Sequence, residues 1–422
     1  MKLSRYPDYK DSGVGWLGPV PRHWDVKRLK TLASQVTEKA TERRRPVGLE
    51  NIEGWSGRFI STDADFQGEG VAFSAGDILF GKLRPYLAKV YLADFCGEAV
   101  GDFHVVRPLQ KIEGRYLQYA MLSRPFIDIV DGSTFGSKMP RASWEALGGM
   151  PVVVPPSEEQ HFIAAFLDRE TSKIDALIAE QERLLELLTE KRQAVISHAV
   201  TKGLNPDAPM KDSGVAWLGA VPAHWDVKAI KWLSPVLRGA SPRPIDDAKY
   251  FDDEGEFAWV RIADSSASDG ILQETTQRLS ELGSSLSVKI YPGQLFVSIA
   301  GTVGKPCIAG IKCCIHDGFV YFPRLPIRAD FLFRIFEDGA CYAGLGKMGT
   351  QLNLNTDTIG SIRIAVPPSD EIDTILAFID ERCREVDALR RGVQRAIALL
   401  AERRSALIAA AVTGQIDVRE AA

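Results

Sequence analysis

Apolar residues recur every seven positions in two stretches of the chain. One has Leu167, Ile174, Leu188 and Val195 with Leu177 and Leu184 between them; the other has Ile379, Val386, Val393, Leu400 and Leu407 with Leu389 and Ala396. A heptad pattern of this kind predicts two long helices, each carrying a narrow seam. Their starts are marked. Pro155 and Pro156 cannot lie inside a helix, Ser157 with Gln160 three residues on fits a capping box, and Glu158 and Glu159 put negative charge in the first turn. The second start, at Ser369, keeps the cap and the charge of Asp370 and Glu371 but has Ile372 in place of the glutamine. Their stops, Thr201-Lys202-Gly203 and Thr413-Gly414, place glycine where a helix end wants a left-handed residue. About 43 residues at ~1.5 Å each give a rod of roughly 65 Å. Such seams are expected to pack together, since an unpartnered one leaves a large apolar surface in water. The alternative is that each helix covers its own domain. Gln181 stands at the seam position whose copy is Val393, a polar residue expected to fix the register.

The regions from Leu29 to Met150 and from Ile230 to Arg363 show shorter periods. "SAGDILFGKL" (Ser74 to Leu83) and "YPGQLFVSIAG" (Tyr291 to Gly301) each read as a turn followed by an apolar strand. "DFHVVRP" (Asp102 to Pro108) and "GFVYFP" (Gly318 to Pro323) read as strands in matching places. The predicted class is α+β, two mixed domains with few shared identities.

The chain also repeats itself. From Lys10 to Lys30 against Lys211 to Lys231, sixteen of twenty-one positions are identical, at an offset of 201. The segment from Val152 recurs from Ile364 at an offset of 212, so the second mixed region is eleven residues longer. This is a tandem repeat of one half-unit. The expected segments are residues 1–151 (a bracket plus a mixed domain), 152–207 (a long helix), 208–363 (the second bracket and mixed domain) and 364–422 (the second long helix).

A length of 422 residues, 45% hydrophobic and 25% charged, is ordinary globular composition with room for two or three domains. Lys2 and Arg5 are followed by no apolar stretch, so neither a signal peptide nor a membrane span is expected, and the expected location is cytoplasmic. The net charge of −4 argues against coating nucleic acid through bulk positive charge. Acidic and basic residues balance within each mixed region, so a DNA site has to come from local clustering or be shared with a partner. The six cysteines form no CxxC pair; they are expected as reduced thiols, with no metal site.

Catalytic signatures are missing. "GTVGKP" from Gly301 fails as a phosphate loop, because Ile299 stands where glycine is required and Pro306 follows Lys305. No HExxH or strand-following GxGxxG occurs, and no NPPY- or DPPY-type tetrapeptide of DNA-methylating enzymes. The histidines are scattered; His23 and His224 share one repeat position before Trp24 and Trp225 and are expected to pack rather than react. No catalytic residue is predicted.

Polar and basic side chains do gather on turns. Lys82 and Arg84 lie in "GKLRPY", Lys138 and Arg141 in "TFGSKMPRASW", Lys305 in "GTVGKP", and Lys347, Gln351, Asn353 and Asn355 in "GKMGTQLNLN". Such residues read base edges in the major groove, and glycine turns let backbone approach phosphate, so these are the candidate DNA-binding residues. A solvated turn is the alternative for any one of them.

The opening "SGVGWLGPVPRHW", the domain ending in "PVVVPPSEEQHFIAAFLD", the helix closing with "TKG", and the repetition of the whole set resemble the specificity subunits of type I restriction–modification systems. The resemblance covers essentially the whole chain. It implies two target-recognition domains, each reading one half of an asymmetric bipartite DNA site, separated by two long antiparallel coiled-coil helices in a pseudo-two-fold arrangement. It further implies a non-catalytic subunit that binds double-stranded DNA, two methylation subunits and two restriction subunits, with no membrane partner. S-adenosylmethionine, ATP and Mg would sit on those partners, and no cofactor on this chain. Two other classes compete with this one: a coiled-coil scaffold without DNA readout, and a stand-alone DNA-modifying enzyme.

Overall fold

The computed structural model describes residues 4–40, 45–62, 69–136, 138–345 and 354–419. Both long helices are present, Ser157–Lys202 and Ser369–Val412, and the mixed helix and strand elsewhere make the expected α+β class. The chain divides into two compact units, Met1–Arg183 with Val393–Ala422, and Leu184–Gly392. Each long helix thus gives one half of its length to each unit.

In the first unit a four-stranded antiparallel sheet runs in the order Ala33–Val36, Phe103–Pro108, Ile78–Gly81, Val90–Leu92. Ile78–Gly81 is buried along its whole length, as its continuous apolar run predicts. A smaller sheet of Pro46–Val47, Gly97–Ala99 and Val71–Phe73 closes a separate core around Val47, Phe73 and Phe103. Helix Gly114–Leu122 buries Tyr116, Leu117 and Met121 in the main core, which continues into Phe166 and Leu167 of the first long helix and Ile408 and Val412 of the second.

The second unit uses a five-stranded sheet, in the order Leu237–Arg238, Phe319–Tyr321, Leu295–Ser298, Pro306–Ala309, Ile271–Leu272, and a four-stranded one built on Phe257–Val260 and Cys313–Ile315. The strands expected in matching places do match: Phe319–Tyr321 lies antiparallel to Leu295–Ser298 as Phe103–Pro108 lies to Ile78–Gly81. Helix Ala329–Asp338 packs Phe331, Leu332 and Phe336 into a core shared with Ile375 and Ile379 of the second long helix.

The repeated brackets sit where one long helix begins and the other ends. Asp25–Arg28 pairs antiparallel with Pro151–Val154, directly ahead of the first long helix, and Asp226–Ala229 pairs with Arg363–Val366, ahead of the second. In the first unit the fully buried Trp24 donates its indole N–H to Oε2 of Glu159 at 2.9 Å, and His23 Nε2 lies 2.7 Å from Oε1. Trp225 and His224 hold Glu371 at 3.0 and 2.8 Å, both on Oε2. The tryptophans therefore pack at a helix start, whereas the histidines are exposed and each pairs with a first-turn carboxylate, a partner not expected from the sequence. The other face of the first bracket covers a helix end: Tyr9 Oη donates to the carbonyl of Gly414 at 2.9 Å. In the second unit Lys202 Nζ donates to the carbonyls of Leu218, at 2.9 Å, and Ala220.

Within each unit the helix segments run antiparallel. In the first, Glu159 lies near Arg419, beyond the end of the second long helix, while Asp175 pairs with Arg404. In the second, Gly203 faces Glu371 while Arg192 lies beside Asp387.

Two expectations need correction. Gln160 forms no capping box: its buried side chain accepts from the Glu113 N–H at 2.7 Å and donates to the Pro155 carbonyl at 2.9 Å, tying the helix start to the mixed domain. The seam also differs. Leu177, Leu184 and Leu389 are exposed, and the buried stripe beside Leu167, Ile174, Ile379 and Val386 is formed four residues on rather than three, by Thr171 and Cys383 with half-buried Ile178 and Arg390. The mixed domains pack against that flank, and Tyr119 Oη lies 3.2 Å from Thr171 Oγ1.

Gly414 tests the clasp. It has φ +72°, and a Cβ there would lie 2.3 Å from Pro21 Cδ, whereas Gly13 has φ +69° with open space around it. Both alanine variants carry the left-handed backbone penalty, so their difference isolates crowding. Gly414→Ala is expected to destabilise the protein by about 1–3 kcal/mol more than Gly13→Ala in denaturant unfolding; equal losses would show that the helix end is not clasped.

Candidate nucleic-acid interface

In the first mixed domain three backbone segments are laid together at one end of the two central strands, Ile78–Gly81 and Phe103–Pro108. Lys82 N donates to the Asp102 carbonyl at 2.8 Å, Arg84 N to Pro140 at 2.8 Å, and Ala142 N to Lys82 at 2.9 Å. Leu83 and Phe135 each bridge to Arg141. The structure therefore brings Lys82, Arg84, Lys138 and Arg141 onto a single rim, although fifty-odd residues separate the two turns in sequence.

The four are held differently. Arg141 forks onto Asp102, with both N–O distances 3.0 Å, and Lys82 Nζ lies 3.8 Å from the same carboxylate. Asp102 thus fixes the direction of the guanidinium and leaves about half of that side chain in solvent. Arg84 and Lys138 are exposed and have no carboxylate partner among the described residues. Arg84 has φ +50°, an uncommon backbone for a non-glycine residue. Phe135, 78% exposed, and Met139 and Tyr86 stand among these cations. A basic rim with outward aromatic faces suits phosphate binding and stacking.

His104 supports the rim from beneath. Its Nε2 lies 3.0 Å from the Ala142 carbonyl and its Nδ1 3.2 Å from Gln35 Nε2, which suits a neutral ring protonated at Nε2. Burial lowers its pKa, and nearby Lys82 lowers it further.

The second mixed domain has a counterpart. Ile299 N donates to the Gly318 carbonyl at 2.8 Å, as Lys82 does to Asp102, and the neighbouring Asp317 takes the place of Asp102. Asp317 accepts from Ser241 Oγ at 3.1 Å and Arg243 Nη2 at 3.3 Å, and its carbonyl accepts from Arg238 Nε. Arg243 is 79% exposed. Neither Arg238 nor Arg243 is marked out by the sequence itself. The one signal for them there is the pair Asp102 and Asp317, each just ahead of a matched strand.

The remaining candidates are placed otherwise. Lys305 Nζ donates to the carbonyls of Ser266, at 2.7 Å, and Ser268, at 3.2 Å, so its charge ties its loop to the end of helix Ile262–Ala267. Asn355 caps helix Thr356–Ser361, accepting from Thr358 N at 2.8 Å. Lys347, Gln351 and Asn353 lie outside the described residues.

Among the described residues no cluster of three or more His, Cys, Asp or Glu side chains could hold a metal ion, and no helix is long and apolar enough to cross a membrane. All six cysteines are free thiols; five are buried, and burial pushes the Cys314 pKa up to about 11.

His104 and His316 give a testable pH dependence. Burial lowers both folded pKa values, so the unfolded chain takes up protons first as pH falls. Stability is then fully present above the ordinary histidine value of about 6.5 and is lost as pH drops through it. Urea unfolding between pH 8 and 5 is expected to show this decline, and His104→Gln with His316→Gln to flatten it. An unchanged slope in the double variant would place the titrating groups elsewhere.

No protein-family model matches the chain. It is 26% identical to the EcoDI type I restriction enzyme specificity subunit of Escherichia coli over 196 residues, 43% of this chain and 43% of that relative's length. That match spans less than half of the relative. Over 323 residues the chain is 22% identical to the MjaVIII type I restriction enzyme specificity subunit of Methanocaldococcus jannaschii, covering 72% of this chain and 70% of the other. In fold it matches a chain from a solved type I restriction–modification system, determined for its complex assembly and conformational transition. The TM-score there is 0.75 at 19% identity, over 93% of this chain and 98% of that one. In sequence and in fold, the chain is similar to the specificity subunits of type I restriction enzymes.

Proposed function

We propose that this chain is the DNA sequence-specificity subunit of a type I restriction–modification complex, acting in the cytoplasm. Each mixed domain reads one half of a bipartite, asymmetric site, and the two long helices set the spacer and dock two methylation subunits. The observation that carries this reading is the pairing of unlike rims with like clasps. Arg84, Lys138 and Arg141 stand on one rim and Arg238 and Arg243 on the other, while the same His–Trp pair meets a first-turn glutamate in both brackets, at Glu159 and at Glu371. The names of the relatives, and the assembly from which the solved neighbour comes, support it.

On this reading the chain contributes recognition and no bond-making step. S-adenosylmethionine belongs to the methylation subunits, and ATP and Mg to two restriction subunits. Arg84 and Lys138 meet phosphate or base edges directly, while Asp102 aims Arg141. Lys82 supports that carboxylate, Lys305 and Asn355 shape their loops, and Lys347, Gln351 and Asn353 stay in the DNA-binding set on their residue types alone. Exposed leucines on the long helices, Leu177 and Leu399 in the first unit and Leu187 and Leu389 in the second, offer apolar area to protein partners within each unit.

The deciding experiment maps adenine methylation across the genome of a methylation-deficient host that expresses this chain with its methylation subunit. One bipartite motif, absent when this chain is omitted, is the expected result. A stable complex that marks no motif would favour the scaffold reading instead. Within a functional complex, Arg84→Ala with Lys138→Ala should weaken binding and reduce the salt slope by about 1 for each phosphate that is no longer neutralised. An unaltered slope would remove both residues from the interface.

A further inference from the structure

Two arginines and two aspartates recur at the same repeat positions. Arg192 and Arg404 are one offset of 212 apart, and so are Asp175 and Asp387, while neighbours such as Gln193 and Ser405 differ. In the first unit Arg404 Nε lies 2.8 Å from Asp175 Oδ1, so the second long helix is tied to the first. The same guanidinium reaches into the mixed domain, donating from Nη1 to the Trp55 carbonyl at 2.7 Å. Arg404 is only 9% exposed. Its loop is further tied by Arg58, which donates to Glu53 at 2.8 Å and lies 4.0 Å from Asp175.

The second unit repeats the arrangement with other domain partners. Arg192 Nε lies 3.6 Å from Asp387 Oδ1 on the opposing helix, and Nη2 donates to Glu337 of the mixed domain at 3.0 Å. Glu337 in turn accepts from Arg334 at 2.6 Å, and Arg334 pairs with Asp380 of the second long helix. One guanidinium in each unit thus touches three elements at once: its own helix, the opposing helix and the mixed domain. A planar fork of donors with a permanent charge can do this, whereas an ammonium offers a single point charge.

From this we infer that Arg404 and Arg192 are positioning residues for recognition: each fixes its mixed domain against the helix pair and thereby sharpens the preference for one spacer length. The inference rests on the proposed DNA function. Trp55 is left-handed, at φ +64°, so the first loop offers its carbonyl in a conformation that a non-glycine residue adopts at a cost.

The test has two arms, each on the full chain. Hydrogen exchange reads the anchoring without DNA: Arg404→Ala is expected to speed exchange of the amides at 53–58, leaving the buried strand Ile78–Gly81 protected. Arg404→Lys keeps the charge but not the fork and serves as the second variant where alanine fails to fold; it should speed the same amides to a lesser extent. In the complex with the methylation subunit, a panel of duplexes whose spacers differ by one base pair reads selectivity. The preference for the optimal spacer is expected to fall at least about fivefold in the Arg404 variants, the scale of a broken coupled interaction. Ile408→Val, a core change in the same unit, should leave that preference intact.

Unchanged exchange at 53–58 would overturn the anchoring role whatever the DNA result. Faster exchange with undiminished spacer preference would overturn the link to recognition. A wild-type complex that methylates none of the duplexes would fail the proposed function instead, and the exchange comparison would then judge Arg404 by itself.

Discussion

A carboxylate in the first turn of each long helix organises what surrounds it. Glu159 is nearly buried, yet it accepts from the Trp24 indole, the Tyr6 hydroxyl and His23. Its position at a helix N-terminus is favourable for negative charge, and its donors are groups that would be costly to bury unpaired. Without it, an indole N–H at the centre of the bracket loses its partner. Glu371 has fewer donors, Trp225 and His224, because Asp207, which has no hydroxyl to donate, stands at the repeat position of Tyr6.

Because the helix segments run antiparallel within each unit, each unit holds one helix start beside one helix stop. A bracket that binds both a start and a stop is therefore needed twice, which accounts for the recurrence of Lys10 to Lys30 at Lys211 to Lys231. What holds the helix ends is duplicated, while the mixed domains meet the helices through different residues, Trp55 in one unit and Glu337 in the other. The domains between the brackets keep the neighbouring central strands and the aspartate ahead of one of them, but change the cations that the aspartate holds.

Much of this was legible in the chain. Heptads, paired prolines, first-turn acids and terminal glycines located both helices, and turn-plus-strand runs located the central sheet neighbours. The flank of the seam was not legible: heptad spacing leaves open whether the second stripe lies three or four residues on, and the choice was made by the domain that packs there, through Tyr119 and Thr171. Gln160 misled for a similar reason, since a local cap and a long-range bond compete for one side chain. Turns at Lys82 and Lys138 were legible as candidates, but their meeting at Asp102 depends on a bridge between distant segments. Lys305 looks equally exposed in sequence; only the fold brings Ser266 and Ser268 beneath its ammonium.

The strand pair Asp25–Arg28 with Pro151–Val154, and its copy Asp226–Ala229 with Arg363–Val366, make each mixed domain an excursion that leaves and returns through its own gate. The entropy of closing so long an excursion grows only with the logarithm of its length. Lengthening it, as the second half has done by eleven residues, therefore adds little cost at the gate. The framework is in this sense indifferent to its contents, and new recognition surfaces can arise between the gateposts while the helices keep their footing.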